Sequence, residues 1–501
     1  MKYIIVQAGG KGTRLKYLTE NKPKALVPVH NLPMLFHLFR KYPEAEYIII
    51  ADYKREVMHE YLESFTDVKY QVVDSSGTGT CGGVGQAVKL IPDNEAFALI
   101  WSDLVLPEQY HFPDEYEAEK IPDNNYIGIS QTFPCRWSYE EGTFKEERSA
   151  DHGVAGLFLF KDKSQIEGIP ESGELVRWLS EQDISFEETG LAGTCEFGLL
   201  EEYEKLGTDK TRPFNKMTID GDVVIKEPVD AQGEDLARRE CAWYEKAREL
   251  RCHVLPEIYG LHPLRMERIH GQNIYDVHLS HDEKRKVLEK LIRALRNLHD
   301  SSHIPADSFS MYEAYYGKTI KRLSKLHDLV PFAHDEYVII NGRRCRNIFY
   351  YKIKLENRLQ QLHCDTFNFI HGDCTFSNLM IRDSGDPVLI DPRGYFGYTE
   401  LYGDVRYDWA KLYYSIVGNY DTFNLKKFRL HINENDVQLD IESNGWEDME
   451  DDFFELTGAD QYEIKLLHAV IWLSLTTYAW QDYDSICGAF YNGLYYLEEV
   501  L

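Results

Sequence analysis

The chain has 501 residues, 43% apolar and 28% charged, which rules out a disordered composition and points to roughly two to four domains instead of one ordinary core. A formal net charge of -28 argues against a nucleic-acid backbone or an anionic membrane as partner, so any nucleotide must be held by local lysines, glycine amides and metal. The nine cysteines form no C-x-x-C pair, which signals neither a disulfide framework nor zinc and reads as reduced thiols of a cytoplasmic protein.

The opening MKYIIVQAGGKG has no signal-peptide cleavage pattern, and the apolar stretch Ala469 to Trp480 is too short to span a bilayer, so no membrane anchor is expected. Tyr3 to Val6 is a short β-rich run that leads into Ala8-Gly9-Gly10-Lys11-Gly12-Thr13-Arg14-Leu15. Glycines behind a buried strand let backbone amides approach a phosphate, and Lys11 and Arg14 add positive charge. Asn21-Lys22-Pro23-Lys24-Ala25-Leu26-Val27-Pro28-Val29 follows as a loop returning across the same place.

Together these motifs, G-G-x-G-T-R-L and K-P-K-x-L-V-P-V, resemble the sugar-phosphate nucleotidyltransferases. The resemblance implies a Rossmann-like mixed sheet, with Arg14 and Lys24 catalytic, contacting the triphosphate and the sugar phosphate, and with Ala8, Gly9, Gly10, Lys11, Gly12 and Thr13 around the nucleotide. The next elements alternate in the α/β manner: helix Met34 to Tyr42, strand Tyr47 to Ala51, helix Glu56 to Phe65 and strand Tyr70 to Val73. A second glycine-rich turn, Gly77 to Ala87, resembles the family element that lies against base and ribose, which nominates Gly79, Thr80 and Gly82. Asp103 ends the apolar strand Phe97 to Ile100, a position that suits a magnesium ligand, and it matches the family's first metal aspartate.

Antiparallel strands between Tyr126 and Phe160 flank a glutamate-rich hairpin, in which Lys145 is a candidate acceptor contact. One departure matters: where many family members carry an aspartate as second metal ligand, this chain has Leu191, so Glu187 or Glu188 substitutes, or Asp103 holds the metal with phosphates and water. A helix from Glu196 to Leu206 is expected to close a first domain at residues 1–208.

Gly207 to Pro213 is a polar linker, and a second domain at 209–501 follows, divided near residue 272 into two lobes. Strands Phe214 to Ile219 and Val223 to Lys226 flank the turn Asp220-Gly221-Asp222, and helix Glu234 to Leu250 carries Glu240. A strand, turn and strand occupy Pro256 to Ile269. Helices are expected at Asp282 to His299, Phe309 to Leu329 and Tyr350 to Leu362, with an antiparallel pair around Tyr337 to Ile348.

The stretch Asn368 to Gly394 carries the chemistry of this half: His371-Gly372-Asp373, then Asn378, then an apolar run delivering Asp391 and Gly394. Transfer of a phosphoryl group needs a carboxylate to orient the attacking hydroxyl, and an amide and a second carboxylate to hold magnesium. H-G-D-x-x-x-x-N followed by I-D-x-x-G resembles the aminoglycoside phosphotransferase and choline kinase family. That resemblance implies a bilobal protein-kinase-like (α+β) fold, Asp373 as catalytic carboxylate, Asn378 and Asp391 as metal ligands, and Lys226 paired with Glu240 at the ATP phosphates. It also implies a hinge at Met266, Glu267 and Ile269 along the adenine edge, and makes Asp404 and Asp408 structural. From Trp446 onward the chain reads as helical and dense in aromatics, which form core, a cage for a quaternary amine, or a surface for stacking sugars.

The combined expectation is an α/β enzyme that phosphorylates a small hydroxyl compound with ATP and transfers a nucleotidyl group from a second NTP, CTP or UTP, to the resulting phosphate, both with Mg2+. The acceptor is a sugar or polyol, giving an NDP-sugar or CDP-alcohol for capsule or surface glycan; choline and phosphocholine are the alternative. A different class also stays open, a nucleotidyltransferase regulated by an idle kinase-like binding module.

Overall fold

The computed structural model describes residues 1–75, 79–117, 122–206 and 215–501, and the expected linker, the 208/209 boundary and Gly77 lie outside them. The chain divides into two compact units, Met1–Asp209 with Gln481–Tyr483, and Lys210–Trp480 with Asp484–Leu501.

The first unit is built on a mixed sheet of nine described strands. Tyr3–Gln7 lies between Glu46–Ala51 and Phe97–Trp101, parallel to both, with Val6 opposite Ile49 on one side and Ile100 on the other. Ile4, Ile5 and Val6 have no exposed surface, which is why this strand reads as an unbroken apolar run and not as an alternating one. The helices Met34–Lys41, Arg55–Phe65 and Cys81–Val88 fall between the strands, as the α/β alternation predicts. Gly153–Phe160 adds antiparallel to Phe97–Trp101 and also pairs with Tyr126–Ser130.

Gly156 sits where that register shifts, between Val154 and Phe158. Its φ is +87°, and a β-carbon there would overlap the Trp101 ring. Gly156→Ala is therefore expected to destabilise the first unit by about 2 kcal/mol or more, through both left-handed backbone strain and overpacking, read as a shift in the denaturation midpoint of the full chain.

The expected closing helix is shorter than the sequence suggests. Cys195–Glu196 pairs as strand with Leu104–Val105, and helix begins only at Leu200 and ends at Glu204. Backbone pairing to the strand beside Asp103 takes Glu196 out of the helix.

The second unit opens with a four-stranded antiparallel sheet, ordered Asn215–Asp220, Val223–Pro228, Leu264–Glu267, Ile258–Leu261. Helix Ala231–Glu249 is started by the Asp230 side chain, which accepts the Gly233 N–H. Its residues Glu240, Trp243, Tyr244 and Ala247 are all buried at i, i+3, i+4, i+7 spacing, so a carboxylate falls on the apolar stripe. His281–Asp300, started by a Ser280 and Glu283 capping box, and Val405–Ile416 then pack with Gln461–Leu475 around a core that includes Leu295, Phe376, Leu412 and Ile464.

Two expectations need refinement here. The helix expected over Phe309 to Leu329 is present as a helical run from Ser308 to Leu326, but it passes through a π-turn at Glu313–Gly317 before Lys318–Leu323 and a final 3-10 turn. The extra residue of the π-turn rotates Lys318 and Arg322 relative to the preceding helical face. The strand pair at Tyr337–Ile340 and Arg343–Arg346 is present, but it joins a second hairpin, Phe428–Ile432 with Val437–Ile441, that the sequence analysis did not identify. Among the described residues no helix is long and apolar enough to cross a membrane.

Candidate functional site

Each unit gathers a cluster of its own. In the first, the strands Tyr3–Gln7 and Phe97–Trp101 are neighbours, so the segments leaving their carboxyl ends share a crevice. Lys24 Nζ forms an ion pair with Asp103 Oδ2, both side chains nearly buried. Gly12 has φ +64°, and a β-carbon there would press on the Lys24 stem at 3.0 Å, so only glycine allows the lysine to pass. Ala8 is anchored through its N–H to the Ile50 carbonyl at 3.1 Å, and the Gly9 carbonyl accepts the Tyr53 N–H at 3.2 Å. Gly10 is open around its α-carbon, Lys11 reaches over the Tyr53 ring at 5.3 Å, and Thr13 begins the 3-10 turn that carries the largely exposed Arg14.

Glu196 joins this cluster and was not singled out from sequence. Its Oε1 lies 3.9 Å from Arg14 Nη2. Burial first, then the charge of Asp103, pushes its carboxyl above the usual range. A β-carbon on Gly198 would crowd Glu196 Oε1, with Arg14 Nη2 and Asp103 Oδ2 both at 3.3 Å, so glycine at 198 leaves the space in which the three meet. Glu187 and Glu188 instead sit on the strand Glu187–Gly190, their side chains exposed. Lys145 is exposed in its hairpin, and its ammonium is 3.7 Å from Glu140.

Gly79, Thr80 and Gly82 meet a different segment. The Thr80 hydroxyl accepts the Leu175 N–H at 2.7 Å, Gly79 bridges to Gly173, and a β-carbon on Gly82 would collide with the Glu171 carbonyl. Their described contacts hold residues 171–175 against the helix Cys81–Val88.

In the second unit Lys226 Nζ lies 2.7 Å from Glu240 Oε2 and 2.6 Å from Asp391 Oδ1. Burial raises the Glu240 carboxyl to about 7 against the pull of Lys226. Burial disfavours the Lys226 ammonium, but Asp391 and Glu240 outweigh it and the lysine is held above its ordinary value. Asp391 itself has φ +54°, a left-handed conformation that costs a non-glycine residue about 1 kcal/mol or more.

The loop carrying Asp373 is tied from three sides. The His371 and Gly372 N–H groups donate to Asp408 at 2.9 and 2.7 Å, His371 Nε2 is 3.0 Å from the Ile390 carbonyl, and Trp243 Nε1 donates to the Ile370 carbonyl at 2.7 Å. Asp408 is fully buried with His299 Nε2 at 2.9 Å, and Asp404 caps its own helix at Arg406 N–H. Asn378 Nδ2 donates to the Asp373 carbonyl at 2.8 Å and lies 3.3 Å from Asp373 Oδ2. Lys411, one turn after Asp408 on the same helix, places Nζ 3.0 Å from Asp373 Oδ1; its sequence signal was only its i+3 spacing from that aspartate.

The expected hinge is more tightly used than the sequence implies. Met266 is buried opposite Val224, while Glu267 donates its N–H to Glu257 and pairs its carboxylate with Arg382, one oxygen at 2.8 Å. The strand stops at Glu267, which leaves Ile269 beyond it.

The fold and these two clusters define a nucleotidyltransferase-type sheet joined in one chain to a kinase-type bilobal unit. Comparison with known proteins gives the same pairing: residues 3–118 match the nucleotidyl transferase family and residues 218–430 match the phosphotransferase enzyme family. The first part is similar to D-glycero-alpha-D-manno-heptose 1-phosphate guanylyltransferase of Campylobacter jejuni, 33% identical over 100 residues (19% of this chain, 45% of that protein). It is also similar to the bifunctional protein GlmU of Methanocaldococcus jannaschii, 28% identical over 130 residues (24% of this chain, 31% of that protein), so the chain spans between about a third and a half of the length of these curated relatives. Among solved structures, HddC from Yersinia pseudotuberculosis aligns with 41% of this chain and 98% of its own at 22% identity and a TM-score of 0.35.

Proposed function

We propose that the chain is a bifunctional enzyme whose second part, beginning near residue 209, phosphorylates a hydroxyl of a small sugar or polyol with ATP. The first part, to about residue 208, transfers a nucleotidyl group from a second NTP to a sugar or polyol phosphate. The observation that carries this reading is the pair of polar triads in the second unit, Glu240 to Lys226 to Asp391 and Asn378 to Asp373 to Lys411, which an idle binding module has no need to assemble.

In the kinase part, Asp373 orients the acceptor hydroxyl and takes its proton as the hydroxyl oxygen bonds to the γ-phosphorus and the bond to the β,γ-bridging oxygen breaks, releasing ADP. Lys226 holds the α- and β-phosphates, and Glu240 holds Lys226. In the nucleotidyltransferase part an oxygen of the acceptor phosphate bonds to the α-phosphorus, and pyrophosphate leaves as the α,β bridge breaks. Arg14 and Lys24 offset the charge that develops.

Magnesium fits both donor sets because each offers hard oxygens: Asn378 turns its amide nitrogen to Asp373, so that its Oδ1 and the Asp391 carboxylate would hold the cation, and Asp103 has Glu196 as a second carboxylate. When bound, it neutralises phosphate charge. Glu196 takes the place expected of an aspartate where Leu191 stands. We place the enzyme in the cytoplasm, where NTPs are available and its nine cysteines stay reduced, and assign its product to capsule or surface-glycan assembly.

The test is a screen of CTP, UTP, GTP and ATP against sugar 1-phosphates, polyol phosphates and phosphocholine, scored by pyrophosphate release. The expected result is release with a sugar or polyol phosphate and a loss of about 10²-fold in kcat for Glu196→Ala. Release with phosphocholine alone would replace the acceptor class, and no release with any pair would end the reading.

A further inference from the structure

A small cavity of about 40 Å³, open to solvent, lies beside Asp373 in the second unit. Its charged lining is one-sided: Lys318, Arg322, Arg393 and Lys411 stand against Asp373 alone. Lys411 is taken by Asp373, but among the described residues no carboxylate forms an ion pair with Lys318, Arg322 or Arg393.

What these three cations do contact is hydroxyls and aromatic rings. Arg322 donates to the Ser474 hydroxyl at 2.9 Å and lies over the Tyr478 ring at 5.5 Å. Lys318 Nζ is 5.7 Å from the Tyr407 ring centre, Lys411 Nζ is 5.9 Å from the same centre, and Arg393 reaches the Tyr407 hydroxyl at 3.4 Å. Tyr407 thus sits amid three cations. Burial favours its neutral phenol, yet Lys318, Lys411 and Arg393 together bring it down to about 7. Lys318 is pushed below its ordinary value by burial and by Arg393 and Arg322.

Gathering like charges in a partly dry cavity is unfavourable unless something of opposite sign enters it. The chain as a whole is strongly acidic, at -28, so a local excess of cations here is not a by-product of composition. Tyr478, one of the aromatics after Trp446 that suggested a cage for a quaternary amine, is therefore in the wrong surroundings for one: a fixed positive charge entering beside Lys318 and Arg322 is repelled.

Resting on the kinase reading above, we infer that the acceptor phosphorylated at Asp373 already carries an anionic group, a phosphate or a carboxylate, which Lys318, Arg322 and Arg393 receive in this cavity. Its hydroxyl faces Asp373 and its anion the cation cluster. Choline and neutral polyols lack the second anchor.

The experiment measures ATP-dependent phosphorylation by the full chain of four acceptor sets: sugar and polyol monophosphates, hydroxy acids and aldonates, neutral polyols, and choline. In parallel, calorimetry follows binding of the same compounds to the catalytically blocked Asp373→Asn chain without ATP. Turnover and binding confined to the anionic sets are expected, with the phosphate and carboxylate arms identifying which anion is used. Arg322→Met and Lys318→Met should each raise the acceptor KM at least tenfold and leave the ATP KM unchanged, and Arg322→Lys should recover part of the loss. Because Arg322 also supports Ser474, each variant is compared by its melting transition, and Lys318→Met carries the test if Arg322→Met does not fold. Anion binding without turnover of any acceptor would support this cavity's role while ending the kinase reading. Turnover of choline or neutral polyols as efficient as that of anionic acceptors, or an acceptor KM untouched by both variants, would overturn the inference while sparing the kinase.

Discussion

Asp373→Asn is expected to lower the rate of phosphorylation by about 10³-fold, the order contributed by a positioned general base, while pyrophosphate release by the same chain stays unchanged. Asparagine keeps the shape of the side chain, so Lys411 and Asn378 retain a partner, but an amide cannot take the hydroxyl proton. Lys24→Ala is the reciprocal variant. It removes the cation paired with Asp103 in the first unit and should cost nucleotidyl transfer on the order of 10²-fold or more, with phosphorylation intact. The two activities are followed separately, as ADP formed and pyrophosphate formed, on variants whose melting transitions match the parent. Loss of both activities from either single change would show that the chemistry is not divided between two sites.

Asp408→Ala should produce the largest loss of stability, about 3–5 kcal/mol, the cost of stripping one partner from a buried ionic cluster. The carboxylate accepts the N–H groups of His371 and Gly372 and faces His299, so its removal leaves two amides and an imidazole without their partner in a dry core. Burial works against the ionised form, but His299 and the His371 amide outweigh it and hold the Asp408 carboxyl below its ordinary value. The sign follows: a depressed folded pKa stabilises above the unfolded value of about 3.9 and that contribution is lost as pH falls through the folded one. Urea midpoints of the parent chain should therefore drop in the acid range more steeply than those of Asp408→Asn, which has no charge to lose. Equal slopes would mean that the cluster holds the Asp373 loop by shape alone.

The contrast between these residues shows what was legible. His371, Asp373, Asn378 and Asp391 fall within one short stretch because two turns, one after Thr366–Phe369 and one after Pro387–Leu389, deliver them, and turn spacing is written along the chain. The same holds for Ala8 to Arg14 and for Lys24. Glu196 was read as the start of a helix, because nothing near it in sequence reveals that Cys195–Glu196 pairs with Leu104–Val105 and thereby faces Asp103. Lys318 and Arg322 lie within the helix expected over Phe309 to Leu329 and drew no role from the sequence; only the packing of Gln461–Leu475 beside them makes them a cavity wall.

By itself, then, the sequence determined the two-part α/β organisation, the glycine turns and the loop that carries Asp373, since strand alternation, helical period and turn chemistry act over a few residues at a time. The tertiary structure alone decided which carboxylate joins Arg14, that Lys411 reaches Asp373, and that Lys318, Arg322 and Arg393 line one cavity with that pair. Those facts depend on which faces meet across long stretches of chain, and the local period states that a face is buried without stating against what.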